Sequence, residues 1–135
     1  MFGIIYPKGD VTLKLQRLTK RESQVMEILW ANGIEMSAND IRLASEGLSI
    51  YTIQQALQYL LSIGFVEVSG IGKNKKAIAR LYKPIVTESE YVSSFIKPDT
   101  FAQIAASFIK NNESLESLND LEDLIEKKKK ELKGK

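Results

Sequence analysis

Residues 49–64 read SIYTIQQALQYLLSIG and decide the fold of this chain. Ser49 is a good N-cap and Gly64 a good stop, so the sequence between them predicts one helix. Its apolar residues recur at helical spacing and form one stripe: Ile53, Leu57 and Leu60 or Leu61. The opposite face carries hydrogen-bonding groups: Tyr51, Thr52, Gln54, Gln55, Gln58 and Tyr59. Because residues 50–64 contain no carboxylate, this outward face could approach a polyanion.

Two helices are predicted before this one. Thr19 and Glu22 form a T-x-x-E capping box at the start of the first. That helix should bury an apolar set, Val25, Met26, Leu29 and Trp30, and end at Asn32-Gly33. Ser37 begins a second, short helix with Asp40 at its third position, in which Ile41 and Ala44 face inward; it cannot pass Gly47.

After Gly64 the apolar period changes from 3.6 to 2. Residues 65–69 and 77–82 are predicted as two strands, joined by a basic tip at residues 70–76. Pro84 ends this β-hairpin.

The C-terminal part is predicted to be helical. A capping box at Thr87 and Glu90 starts a helix that Pro98 terminates, Thr100 starts another, and Ser117 caps the last. Their apolar faces are too large for their own length, so two copies are expected to pack together. The expected dimerisation residues are Phe95, Phe101, Ile104, Phe108, Leu118, Leu121 and Ile125.

The chain is thus predicted to be mainly α with a small β-hairpin: a winged helix-turn-helix plus a C-terminal helical dimerisation region. Residues 19–84 are the winged helix and residues 85–135 the dimerisation region. Residues 1–18 are an N-terminal arm or an added edge strand, because residues 11–16 alternate apolar and polar.

Composition excludes several classes of function. The 135 residues contain no cysteine and no histidine, which removes disulfides, thiolate chemistry, imidazole bases and the common metal ligands. No catalytic residues, metal or cofactor are predicted, and the chain is not expected to be an enzyme. It has no apolar run that could span a membrane, so no membrane contact and a cytoplasmic location are expected. Residues 1–83 carry 11 Lys and Arg against 7 Asp and Glu, whereas residues 84–135 carry 8 against 10.

Three helices followed by a basic hairpin is the order of a winged helix-turn-helix, in which the third helix enters the major groove of double-stranded DNA. Glutamine pairs bidentately with adenine, and lysine or arginine contacts phosphates. The predicted DNA-binding residues are Ser37, Ser49, Tyr51, Thr52, Gln54, Gln55, Gln58, Tyr59, Lys73, Lys75, Lys76 and Arg80.

Two other functions fit the same pattern. The exposed face could dock a partner protein, or the chain could be a winged-helix regulator of another family that senses a small ligand. A phosphate-loop interpretation of Gly70-Ile71-Gly72-Lys73 fails, because the P-loop spacing and a following helix are both lacking.

Several stretches resemble the penicillinase-repressor (BlaI/MecI/CopY) family: Leu18-Thr19 through Trp30, residues 37–41, residues 52–54, 57–60, 80–84 and 108–113, and the Leu-rich final helix. The resemblance implies a winged helix, helical dimerisation, and a homodimer that blocks transcription from a palindromic operator. It also implies relief of repression, through a regulatory protease and sensor or through copper bound to cysteines. The absence of cysteine argues against the copper route. In the β-lactam-responsive members an Asn-Phe bond is cut, and the corresponding bond here is Ser107-Phe108, with Ser in place of Asn.

Overall fold

The computed structural model describes residues 15–73 and 78–134. Its elements, in chain order, are α1 (Lys20–Asn32), α2 (Ala38–Ala44), α3 (Ile50–Ser62), β1 (Val66–Lys73), β2 (Ile78–Pro84), α4 (Glu88–Ser93), α5 (Pro98–Asn111) and α6 (Leu115–Lys133). They form two compact units, the first ending at Phe95 and the second starting at Ile96. The N-terminal arm or edge strand was predicted for residues 1–18, and residues 1–14 of it lie outside the described range.

Three capping boxes fix helix starts in the first unit; the boxes at Thr19 and Thr87 were predicted as such, and Ser37 was predicted as a helix start. In each, the N-cap amide donates to a carboxylate three residues on: Thr19 to Glu22 at 2.9 Å, Ser37 to Asp40 at 2.9 Å and Thr87 to Glu90 at 2.8 Å. The predicted stop of the first helix is also confirmed, since Gly33 has φ 65°, a left-handed conformation that costs a glycine little.

The core of the first unit lies between α1, α2, α3 and the hairpin. The predicted inward residues of α1, α2 and α3 are buried: Val25, Met26, Leu29, Ile41, Ile53, Leu57 and Leu60. Trp30 is only half-buried, and its indole N–H donates to the Val86 carbonyl at 2.9 Å. The inward position predicted for Ala44 is wrong, because α2 ends there and Ala44 is exposed; Leu48, after the turn, is buried instead.

The hairpin is longer than predicted. β1 and β2 pair antiparallel from Val66 opposite Pro84 to Lys73 opposite Ile78, with a bulge between Val68 and Gly70. The alternating pattern breaks at that bulge, so the sequence placed the strand end at residue 69, although pairing with β2 continues to Lys73. Residues 74–77 of the predicted tip lie outside the described range.

A third segment joins this sheet, which the sequence pattern did not indicate. Met36, between α1 and α2, pairs with Tyr82: the Met36 amide donates to the Tyr82 carbonyl at 3.0 Å, and the Tyr82 amide to the Met36 carbonyl at 2.8 Å. This bridge ties the start of α2 to the wing, which is the hairpin formed by β1 and β2.

Helix α4 packs within the first unit, beyond residue 84, where the sequence analysis placed the domain boundary. The Tyr91 ring contacts three other aromatic rings, at centroid distances of 5.9 Å to Trp30, 5.7 Å to Phe65 and 5.1 Å to Phe95. The Tyr91 hydroxyl accepts the Leu18 amide at 2.9 Å. These contacts hold α4 and Leu18 against the core of the unit.

The second unit consists of α5 and α6, and none of their residues is buried. Two predicted helix starts are wrong here. Pro98 occupies the first turn of α5 with Lys97 as the N-cap, a position that suits proline because its missing N–H has no partner there. Ser114, three residues before Ser117, caps α6, and its hydroxyl accepts the Ser117 amide at 3.2 Å.

Among the helices of residues 15–73 and 78–134, none is both long and apolar enough to cross a membrane.

Candidate nucleic-acid interface

Helix α3 packs into the core with one face and exposes the opposite face to solvent. Ile53, Ala56, Leu57 and Leu60 are buried, which fixes the rotation of the helix. At its start the Ser49 hydroxyl accepts the Thr52 amide at 3.0 Å and donates to the Thr52 hydroxyl at 2.9 Å. Ser49 and Thr52 therefore act first as the cap of α3.

The outward face of α3 lies on the surface, as the sequence predicted. Gln54, Gln55 and Gln58 are exposed. Tyr51, in the first turn, is 68% exposed, and Tyr59 is 37% exposed. These side chains have no hydrogen-bond partner among the described residues, so their polar groups are available to a ligand.

The electrostatic character of α3 comes from the absence of charge. No residue from Ile50 to Ser62 is ionisable except the two tyrosines, and the flanking carboxylates along the chain are Glu46 and Glu67. A helix without acidic side chains meets no repulsion from phosphates, but it also supplies no cation to them.

Ser37 is placed differently from the other predicted contacts. It is buried, with 8% of its surface exposed, and its hydroxyl accepts the Asp40 amide at 3.1 Å. Its side chain stabilises the start of α2, so it is not an exposed group of this surface.

The described part of β2 carries two exposed cations, Arg80 and Lys83. Arg80 on β2 is exposed and pairs across the sheet with Ile71, which is 65% exposed. Lys73 is paired with Ile78 at the end of the described part of β1. Lys75 and Lys76, also predicted to contact DNA, lie outside the described residues.

Arg42 is a further exposed cation, which was not among the predicted DNA-binding residues. This residue is exposed in the last turn of α2, and its guanidinium donates twice to the side-chain oxygen of Asn39, from Nε at 3.1 Å and from Nη2 at 2.8 Å. The i, i+3 spacing of Asn39 and Arg42 on a short helix was the available signal.

A groove of about 940 Å³ lies elsewhere on the first unit. It is open and lined by apolar and charged side chains of α1, the following loop, the end of β2 and α4, among them Trp30, Ile34, Glu35, Pro84 and Glu88. No residue of α3 lines it, so the groove is separate from the outward face of α3. Among the described residues, no acidic cluster has the arrangement of a metal site.

The predicted dimerisation residues fall in both units. Phe95 lies in the first unit, where it packs on Tyr91 and lies under the Arg17 guanidinium, 4.1 Å from the ring centroid. The others are on α5 and α6: Ile104, Phe108 and Ile125 are exposed, whereas Phe101, Leu118 and Leu121 are half-buried.

Comparison with known families decides among the three functions that the sequence left open. A model of the penicillinase repressor family matches residues 18–129, most of the chain. The chain belongs to the penicillinase repressor family. The resemblance found in the sequence is therefore confirmed, and so is a fold of three helices, an antiparallel hairpin and C-terminal helices. No curated protein matches the chain significantly.

Penicillinase repressors are winged-helix, DNA-binding transcriptional repressors without enzymatic activity, and the predicted function is confirmed at that level. Membership favours DNA binding over a protein-docking module, and it removes the hypothesis of a regulator from another family.

Proposed function

We propose that two copies of this repressor bind a two-fold symmetric DNA operator, each placing the outward face of α3 in a major groove and the wing against neighbouring phosphates. The observation that carries this proposal is the division of α3 into a fully buried apolar face and an exposed, uncharged face with Gln54, Gln55 and Gln58. A glutamine amide offers a donor and an acceptor together, which matches the major-groove edge of adenine.

Sequence specificity is assigned to the glutamines and positioning to the remaining residues. Tyr51 and the amides at the start of α3 are placed for phosphate contacts at the groove edge, and Tyr59 and Arg80 for contacts further along. Thr52 carries a methyl group beside the hydroxyl that accepts from Ser49, and this methyl group suits contact with thymine.

Dimerisation is proposed to use α5 and α6. Ile104 is 49% exposed, Phe108 54% and Ile125 48%, and α5 and α6 have no buried residue among those described. A second copy would cover these apolar side chains. Two recognition helices about 34–36 Å apart would then meet successive major grooves, so the second contact is intramolecular.

In this proposal repression results from occupancy of DNA near a promoter, and the protein acts in the cytoplasm, as the sequence predicted. Relief by a regulatory protease or sensor remains a prediction from the family resemblance. Ser107 and Phe108 lie inside α5, and the Ser107 hydroxyl accepts from the Asn111 side chain at 3.3 Å. Cleavage between them would therefore require α5 to open locally.

Selection of bound duplexes from a random DNA pool tests the proposal. We expect an enriched site with two-fold symmetry and half-sites about one helical turn apart. Gln54→Ala or Gln55→Ala should weaken binding to the selected site by about fivefold or more per protomer, since a bidentate base contact contributes about 1–3 kcal/mol, and should hardly change binding to random DNA.

The matched control is Gln103→Ala, which removes an exposed glutamine from α5 instead of α3. It should leave both affinities unchanged. Equal losses on selected and random DNA for the α3 variants, or an enriched site without symmetry, would contradict the proposal.

A further inference from the structure

Helix α3, which is proposed to enter the major groove, supplies no positive charge. Residues 50–62 contain no lysine or arginine. Most of the affinity of a protein for duplex DNA comes from cations that neutralise phosphates and release counterions. The elements beside α3 must therefore provide these cations.

Arg42 is the cation on the helix that precedes α3. Its two hydrogen bonds to Asn39, at 3.1 and 2.8 Å, hold the guanidinium plane along α2. An arginine has five N–H donors, so three remain for another ligand. Asn39 is neutral, and no carboxylate among residues 15–73 and 78–134 lies within ion-pair distance of Arg42, so the positive charge is not compensated by an ion pair.

The position of Arg42 is fixed relative to the start of α3. The Ser45 hydroxyl donates to the Arg42 carbonyl at 2.8 Å and accepts the Leu48 amide at 3.3 Å. Leu48 is buried and directly precedes Ser49, the N-cap of α3. These two hydrogen bonds connect the end of α2 to the residue that precedes the N-cap of α3.

The carboxylate of α2 does not compete for the same role. Asp40 accepts the Ser37 amide at 2.9 Å in the capping box. The Asp40 carboxylate therefore lies at the start of α2, whereas Arg42 lies in the last turn of that helix.

We propose that Arg42, oriented by Asn39, binds a DNA phosphate where α2 crosses the backbone, and that it supplies on the helix-turn-helix side the charge that α3 lacks. This role of Arg42 rests on the proposed function and adds one phosphate-binding residue to the same DNA-binding surface. In a helix-turn-helix the first helix crosses the phosphate backbone while the second enters the groove. A planar guanidinium with free N–H groups suits bidentate phosphate binding.

The test measures the affinity of the full chain for a random-sequence duplex across about 50–200 mM salt. A phosphate contact does not depend on sequence, so the operator is not needed. Arg42→Gln should lower the slope of log affinity against log salt by about 0.9 per protomer, or about 1.8 for a dimer, and should lose most affinity at low salt.

Arg21→Gln is the matched control. Arg21 on α1 is also exposed and also donates to a side-chain amide three residues on, Gln24, at 3.2 Å. Both substitutions remove one charge, so any effect of net charge is shared. We expect the slope of Arg21→Gln to stay near that of the unmodified protein; an equal fall in both variants would overturn the assignment to Arg42.

Two further variants test the role of Asn39. Asn39→Ala and Arg42→Lys keep the charge but remove the paired hydrogen bonds, so the salt slope should persist while affinity falls by about threefold to tenfold. Unchanged affinity in Asn39→Ala would overturn the orienting role.

The outcomes separate the two proposals. If the unmodified protein shows no salt-dependent binding to duplex DNA, the proposed function fails. If it binds and Arg42→Gln keeps its slope, only the role of Arg42 fails.

Discussion

The two units of this repressor are both rich in helix, yet they bury apolar side chains very differently. In the described part of the first unit thirteen apolar residues are buried, whereas α5 and α6 in the second unit have none. Helices with an apolar stripe gain stability mainly when that stripe is covered. The first unit therefore has its own core, whereas the apolar side chains of α5 and α6 are left for a second copy to cover.

The largest expected effect tests the first half of this contrast. Leu57→Ala should destabilise the winged helix by about 2–5 kcal/mol, because Leu57 is 1% exposed in the core and its removal leaves a cavity. Chemical denaturation followed by circular dichroism measures the change. Leu57→Met, which conserves volume, should cost less than about 1.5 kcal/mol, and similar losses for both would contradict a tightly packed core.

Phe108→Ala tests the second half. It should weaken self-association by about 2 kcal/mol, roughly thirtyfold, if Phe108 lies in the dimer interface. Sedimentation equilibrium gives the association constant, and the melting of the first unit should not change. Gln103→Ala, on the polar side of α5, is the control; a monomeric unmodified protein would contradict the assignment of this face.

Loss of a helix cap should have different consequences in the two units. Thr19→Ala removes the hydroxyl that accepts the Glu22 amide and should cost the first unit about 1 kcal/mol of global stability. Ser114→Ala removes the corresponding cap of α6 and should only increase hydrogen exchange in the first turn of that helix. A global effect of Ser114→Ala in the monomer would show that α6 unfolds together with the winged helix.

The smallest expected effect concerns the attachment of α4. Tyr91→Phe keeps the aromatic contacts but removes the hydroxyl that accepts the Leu18 amide, so the cost should be about 0.5 kcal/mol. Tyr91→Ala is the comparison, because it also removes the ring contacts and should cost several times more by thermal unfolding. Equal costs would mean that the aromatic contacts contribute nothing.

Much of the DNA-facing surface was predictable because it depends on local patterns. The periodicity of residues 50–62 fixes which side chains of α3 point outward once the apolar side is buried. The role proposed for Arg42 was not predicted, because it is argued from hydrogen bonds and from a turn, and sequence spacing shows neither. Ser37 was predicted as a contact from its position at a helix start, but the same capping role buries it.

The sequence by itself determined the helix starts of the first unit, the apolar stripes and the outward face of α3, because caps and amphipathic periods involve residues three or four apart. Only the tertiary structure decided that Met36 joins the wing through Tyr82 and that α4 packs with the winged helix through Tyr91. Those contacts join residues that are 26 to 61 positions apart along the chain, and no short-range pattern encodes such pairings.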